Sequence, residues 1–185
     1  MTIDDFMMCI TKANQNTYKY ALAYAFLEIN LDSAFIDFDT IARKVIEFYY
    51  LKAVQPQLVH TNNKKQQPIV VTVIERVMKE YGYDYSYKSI PDDAMEKMVY
   101  EIVEERNKGF FKYVLPCWEG AKKDDRGYYM YPEEGENNCF IYSLERKIII
   151  LKKNFMKCIE ENYIQLKICL EKDSNNKIRM LNSSI

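Results

Sequence analysis

The chain has a single histidine, His60. That scarcity excludes a metal site built on two histidines, and a nuclease centre that combines a catalytic histidine with histidine ligands. Glycine is nearly as scarce, with 5 in 185 residues, and there is no GxGxxG, no glycine-rich loop ending in Lys-Ser/Thr and no GxSxG. Phosphate cradles made of loop backbone, and a hydrolase nucleophile elbow, are therefore not expected. The cysteines (Cys9, Cys117, Cys139, Cys158 and Cys169) form no CxxC pair. They read as reduced thiols in small core positions. A Cys–His nucleophilic pair is open on paper, through Cys117 or another cysteine. Nothing in the sequence brings one near His60, and a loop histidine is the simpler reading. No apolar run approaches the roughly 18 residues of a membrane helix, and "MTIDDFMMCI" lacks the basic start of a signal peptide. The expectation is a cytoplasmic protein with no membrane partner, no metal and no cofactor.

What the chain does have is apolar and aromatic material. Hydrophobic residues make up 48%, and 16 residues are tyrosine, which is globular composition. At this length the core needs no disulfide staples. The net charge is −1, but it is unevenly spread. The segment 74–108 carries −3 and the segment 140–185 carries +4. The basic end is a pointer to phosphate, against the plainer reading of a solvated helix face.

Helical spacing organises the first hundred residues. Ile3, Phe6, Met7 and Ile10 make a short helix with Thr2 as its cap. "NTYKYALAYAFLEI" follows, capped by Asn16 or Thr17 and apolar on all sides between Lys19 and Glu28. A helix of that kind is a membrane span or the centre of a core, and it is too short to span. A third helix starts near Asp37 with the stripe Phe38, Ile41, Val45, Phe48 and Tyr49. After a polar loop, Gln55 to Pro68, a fourth carries Ile69, Val70, Val73, Ile74 and Val77 and ends at Gly82. A fifth opens at Pro91, Asp92 and Asp93 and stops at Gly109. From Phe110 the texture becomes short and aromatic. "FFKYVLPCW", "GYYMYP" and "CFIYS" read as a few short strands around the acidic loop "EEGENN". Ser143 then reads as the N-cap of a long helix through Leu144, Ile148, Leu151, Phe155, Ile159, Tyr163, Leu166 and Leu170. At roughly 1.5 Å per residue it is about 43 Å long, ends at "DSNN", and leaves an irregular tail. The fold class is α+β, mostly α, in one domain: a helical part over 1–109, strands over 110–142, a long helix over 143–173 and a tail over 174–185.

Three groups of residues have chemistry to offer. Asn62, Asn63, Lys64, Lys65 and Gln66 combine base-reading amides with phosphate-binding lysines, ahead of a helix N-terminus. Lys147, Lys152, Lys153 and Lys157 form a basic face on the expected C-terminal helix. Asp125, Glu145 and Lys147 have the residue order of a metal-dependent restriction-type nuclease, which needs two carboxylates on the metal and a lysine near the attacking water. In that scheme the Glu-x-Lys lies on a strand, whereas here Glu145 is expected in the first turn of a helix. The run Tyr81, Tyr83, Tyr85 and Tyr87 alternates as a base-stacking edge does, or as any half-buried extended segment does.

The order of segments resembles the N-terminal, non-nuclease region of bacterial HNH endonucleases of the restriction and phage-defence type. The matching pieces are "TYKYALAYAFLEI", "IDFDTIARKVIEFYY", the Gln-rich loop before "PIVVTVIERV", "FKYVLPCW", "YYMYP…FIYSLERKIIILKKNF" and "IQLKICLEKDSN". They run from Thr17 to Asn175. Such regions carry a first core helix like "YKxALLxALL" and a second like "FDELAxKFxEYYW". A long helix then leads into the HNH module. The resemblance implies a module for recognising double-stranded DNA or docking a partner, associated with an HNH-type nuclease. It equally allows a protein-interaction subunit of a multi-component defence system, for which the surplus of Tyr and Met speaks. No position corresponds to the HNH residues themselves, so this chain on its own is not expected to cut DNA, and no catalytic residue is assigned from the resemblance.

Overall fold

A computed structural model of the chain describes residues 1–12, 17–52, 67–83, 89–104 and 109–183. The elements are α1 (Ile3–Thr11), α2 (Tyr18–Glu28), β1 (Phe35–Asp37), α3 (Phe38–Lys52), α4 (Ile69–Glu80), α5 (Asp92–Glu104), α6 (Phe110–Val114), β2 (Glu134–Glu136), β3 (Phe140–Ser143), β4 (Ile148–Leu151) and α7 (Lys153–Asn182). The fold is α+β and mostly helical. The strands form one antiparallel sheet in the order β1-β4-β3-β2.

Local chemistry explains where the helices start and stop. Thr2 caps α1 through a reciprocal box: the Asp5 N–H donates to Thr2 Oγ1 at 3.1 Å and the Thr2 N–H donates to Asp5 Oδ2 at 2.8 Å. Those bonds hold the Asp5 carboxyl below its ordinary range. Asp37 closes β1 and opens α3, accepting from the Thr40 N–H at 2.7 Å. Gly82 ends α4 with φ 72°, and the Gly82 and Tyr83 N–H groups reach back to the carbonyls of Lys79 and Met78. Thr17 does not act as the expected side-chain cap of α2; its hydroxyl is hydrogen-bonded to Tyr49 Oη at 2.9 Å.

The apolar helix α2 is the centre of the core. Ala21, Leu22, Ala23, Ala25 and Phe26 are fully buried, because α2 packs against α3, α7, α1 and α6. Phe26 stands in an aromatic cluster with Phe155 (5.4 Å between centroids), Trp118 (5.6 Å) and Phe140 (5.6 Å). Phe6 stacks on Phe155 at 5.5 Å. One cluster thus ties α1, α2, the turn after α6, β3 and α7 together.

The structure corrects the reading of the last third. The long helix does not begin at Leu144. Ser143 ends β3, residues 144–147 form a turn, and 148–151 are β4, so the helix begins at Lys153. It also runs through "DSNN" and most of the expected tail to Asn182. It bends at Asn162, whose backbone leaves the helical region while its Nδ2 donates to the Cys158 carbonyl at 2.9 Å. A side chain entering the helical ladder in this way is a common cause of a kink. "FFKYV" is not a strand but α6, and in "GYYMYP" strand pairing is limited to the bridge Lys123–Tyr129. The acidic loop "EEGENN" itself supplies β2.

On β2 the one interior glycine is dictated by its partner. Gly135 pairs with Tyr142 of β3, and a Cβ there would lie 2.6 Å from the Tyr142 ring and hydroxyl. Gly135→Ala is expected to displace that ring and cost about 1–3 kcal/mol of stability, as overpacking does. The urea midpoint measures it.

Candidate interaction surfaces

The expected basic residues do not share one helix face. Asn62, Asn63, Lys64, Lys65 and Gln66 lie outside the described residues, as does His60. Lys147 sits in the β3–β4 turn with φ 53° and is ion-paired to Glu104. Lys152 precedes α7 and pairs with Glu136 at 2.5 Å. Lys153 and Lys157 alone lie on α7, in its first turns, and Lys157 is 3.6 Å from Glu161. Two of the four cations are thus tied to acids of other elements, and the continuous helical stripe is absent because the hairpin interrupts it.

The nuclease-like residues are likewise placed in turns. Glu145 and Lys147 lie in the β3–β4 turn, neither on a strand nor in a helix, and Asp125 is at the exposed turn 124–128. Among the described residues neither acid belongs to a group of three metal-ligating side chains. Of the tyrosine run, Tyr81 and Tyr83 stack at 6.1 Å beyond the end of α4, and Tyr85 and Tyr87 lie outside the described residues.

The sheet supplies a surface that sequence reasoning missed. Its inner face carries Ile36, Ile149, Tyr142, Phe140 and Leu151, all buried in the core. Cross-strand register aligns Phe35 with Ile150, and Ile150 with Ile141, in one row on the opposite face. Ile148 stands beside that row. An antiparallel sheet with one wet face normally turns polar residues outward. Here Phe35 is 65% and Ile141 41% exposed, with Ile148 and Ile150 half-buried between them. A cavity of about 410 Å³ opens over Ile141, Ile148 and Ile150, edged by Glu134, Glu136 and Arg146. The signal in the sequence was "KIIIL": apolar residues at consecutive positions must face both sides of a strand.

A second exposed feature is the finger 122–130. Asp124 Oδ1 accepts from the N–H groups of Arg126 and Tyr128, both at 2.9 Å, and Gly127 turns the chain at φ 84°. The finger displays Lys122, Lys123 and Arg126 beside exposed Tyr128 and Tyr129, and Lys123 Nζ lies 4.8 Å from the Tyr129 ring centroid.

No helix among the described residues is long and apolar enough to cross a membrane. Comparison with protein-family models, with curated proteins and with solved structures finds no match.

Proposed function

We propose that this chain is a docking module of a cytoplasmic defence system that joins an HNH-type nuclease subunit to its assembly through the outer face of the sheet. The observation that carries the reading is the apolar row Phe35–Ile150–Ile141 on the outer face of the sheet, with Phe35 and Ile141 exposed. The nuclease as occupant rests on the resemblance in residues 17–175, and the border of Glu134, Glu136 and Arg146 suits a partner whose apolar contact is edged by charges of both signs. The test is co-purification with an HNH-nuclease subunit expressed from the same locus. Phe35→Asp and Ile150→Asp are expected to weaken the complex more than about 100-fold, in line with hot-spot losses near 3 kcal/mol, while Lys153→Ala and Lys157→Ala leave it intact. A complex indifferent to both aspartates, or lost with the lysines, would overturn the reading.

A second reading, DNA contact, is favoured by the finger 122–130, which sets three cations beside two exposed aromatic rings. Binding of a short duplex should then fall steeply with added salt, as counterion release requires, and should be lost with Lys122→Ala, Lys123→Ala and Arg126→Ala together. Binding that ignores salt, or survives the triple change, rejects it.

A further inference from the structure

Cys9, Glu119 and Cys139 come from three distant parts of the chain and meet at one point. Cys9 is on the last turns of α1, Glu119 in the turn that follows α6, and Cys139 immediately before β3. Their ligand atoms all lie within 4.8 Å of one another. The two sulfurs are 3.9 Å apart, much farther than the roughly 2.05 Å of a disulfide. Tetrahedral zinc, with bonds to sulfur of about 2.3 Å, holds two thiolates about 3.8 Å apart.

We propose that Cys9, Cys139 and Glu119 bind a divalent zinc ion, with a fourth position facing the cleft beside them. Thiolate pairs with one carboxylate are a ligand set for zinc among the common divalent ions. The cleft, about 490 Å³, is lined by Met8, Lys12, Asn138 and Asn154 together with Cys9 and Glu119, while Cys139 is fully buried. It provides an entry path and room for a water as fourth ligand. Asp5 also lines this cleft, but its carboxylate is engaged in the cap of α1, so it is not counted as a ligand.

The surroundings hold these groups as a metal site requires. The buried indole N–H of Trp118 donates to Cys139 Sγ at 3.1 Å, the kind of outer hydrogen bond that orients a ligand and steadies a thiolate. The Asn138 N–H donates to Glu119 Oε1 at 2.7 Å and its Nδ2 donates to Oε2 at 3.5 Å, which fixes the carboxylate. The Asn137 side chain accepts from the Cys139 N–H at 2.8 Å and fixes the other ligand's backbone. Two thiolates and a carboxylate around Zn²⁺ leave one negative charge. The Lys19 ammonium balances it, seated 2.9 Å from the Cys9 carbonyl. The paired sulfurs lie within hydrogen-bonding reach of each other, and either can be the donor. Binding Zn²⁺ releases both protons to solvent and forms two Zn–S bonds and one Zn–O bond, with no change of oxidation state.

The test uses the full chain, reduced and freed of metal by chelator, with Co²⁺ as a spectroscopic probe. One equivalent of Co²⁺ should produce thiolate-to-cobalt charge-transfer absorption in the near ultraviolet and the visible bands of a tetrahedral ion, both erased by Zn²⁺. Cys139→Ser and Cys9→Ser should abolish the charge-transfer band. Glu119→Gln and Trp118→Phe should weaken binding at least about tenfold, and affinity should fall as the solution is acidified. Cys117→Ser and Cys169→Ser, outside the cluster, should change nothing. Far-ultraviolet circular dichroism checks that each variant is folded, and the isosteric change Glu119→Gln at a half-buried position keeps the test decisive if a cysteine variant unfolds. Absence of the charge-transfer band in the folded, reduced chain overturns the proposal. So does a band that survives loss of both cysteines, or a Cys9–Cys139 disulfide that forms in the presence of equimolar Zn²⁺.

Discussion

Phe26→Asp leaves the chain unfolded at room temperature, with the cooperative urea transition and near-ultraviolet dichroism both absent. Phe26 is fully buried and its ring lies against Trp118, Phe140 and Phe155. Removing a ring of this kind costs about 3–5 kcal/mol. A carboxylate in its place sits in the apolar core against three aromatic rings, and an unpaired buried charge adds a penalty of several kcal/mol. The sum falls within the roughly 5–15 kcal/mol by which domains are stable, enough to unfold one of ordinary stability. Phe26→Leu separates packing from charge: it should fold, with a lowered melting temperature. A folded Phe26→Asp chain would show that α2 is not the centre of the core.

Lys19→Ala carries the second large effect, about 2–4 kcal/mol of lost stability at pH 7. Lys19 is 4% exposed, yet its Nζ donates to the carbonyls of Cys9 (2.9 Å) and Lys12 (2.7 Å) at the C-terminal end of α1. Alanine removes the donor to the buried Cys9 carbonyl and to the Lys12 carbonyl and leaves a void. Burial pushes the Lys19 ammonium down to about 8, against about 10.4 in an unfolded chain. Below pH 8 both forms hold the proton and the burial cost is fully present. Between the two values the unfolded chain holds one proton more, so stability rises with pH. From pH 8 to 9.5 the wild type should gain up to about 2 kcal/mol relative to Lys19→Ala. The neutral amine still has N–H groups for both carbonyls. Parallel urea curves for the two proteins across this range would refute the assignment.

How much of this was legible in the sequence depends on which residues carry the signal. The helices through Glu104 were readable because their stripes and stops are local: the Thr2 box, Asp37 before α3, Gly82 after α4. The β3–β4 hairpin was hidden by coincidence of spacing. Leu144, Ile148, Leu151 and Phe155 recur at steps of four and three, which is helical spacing, although 148–151 is a strand. Its turn, "LERK", has no glycine or Asn-Gly pair, and Lys147 itself takes the positive φ. "DSNN" contains stop-like residues, yet α7 continues because helix-breaking propensity is weak against packing: Ser174 is buried and its hydroxyl donates to the Glu171 carbonyl at 3.1 Å. Of the candidate surfaces, the lysines were visible by type but not by place. Their ion pairs with Glu104 and Glu136 join residues far apart in sequence. The meeting of Cys9 with Cys139 is of the same kind, since no spacing rule anticipates it.

The strand order β1-β4-β3-β2 also bears on how fast the chain reaches its fold. Strands β2, β3 and β4 are sequential neighbours and zip together by local turns. The pairing of Ile36 with Ile149 must instead close a loop of more than half of the chain. Closing so large a loop spends chain entropy before its contacts return any energy. Addition of β1 is therefore a late step, and its side chains should show small φ-values: shortening Ile36 to valine should speed unfolding while leaving the refolding rate nearly unchanged.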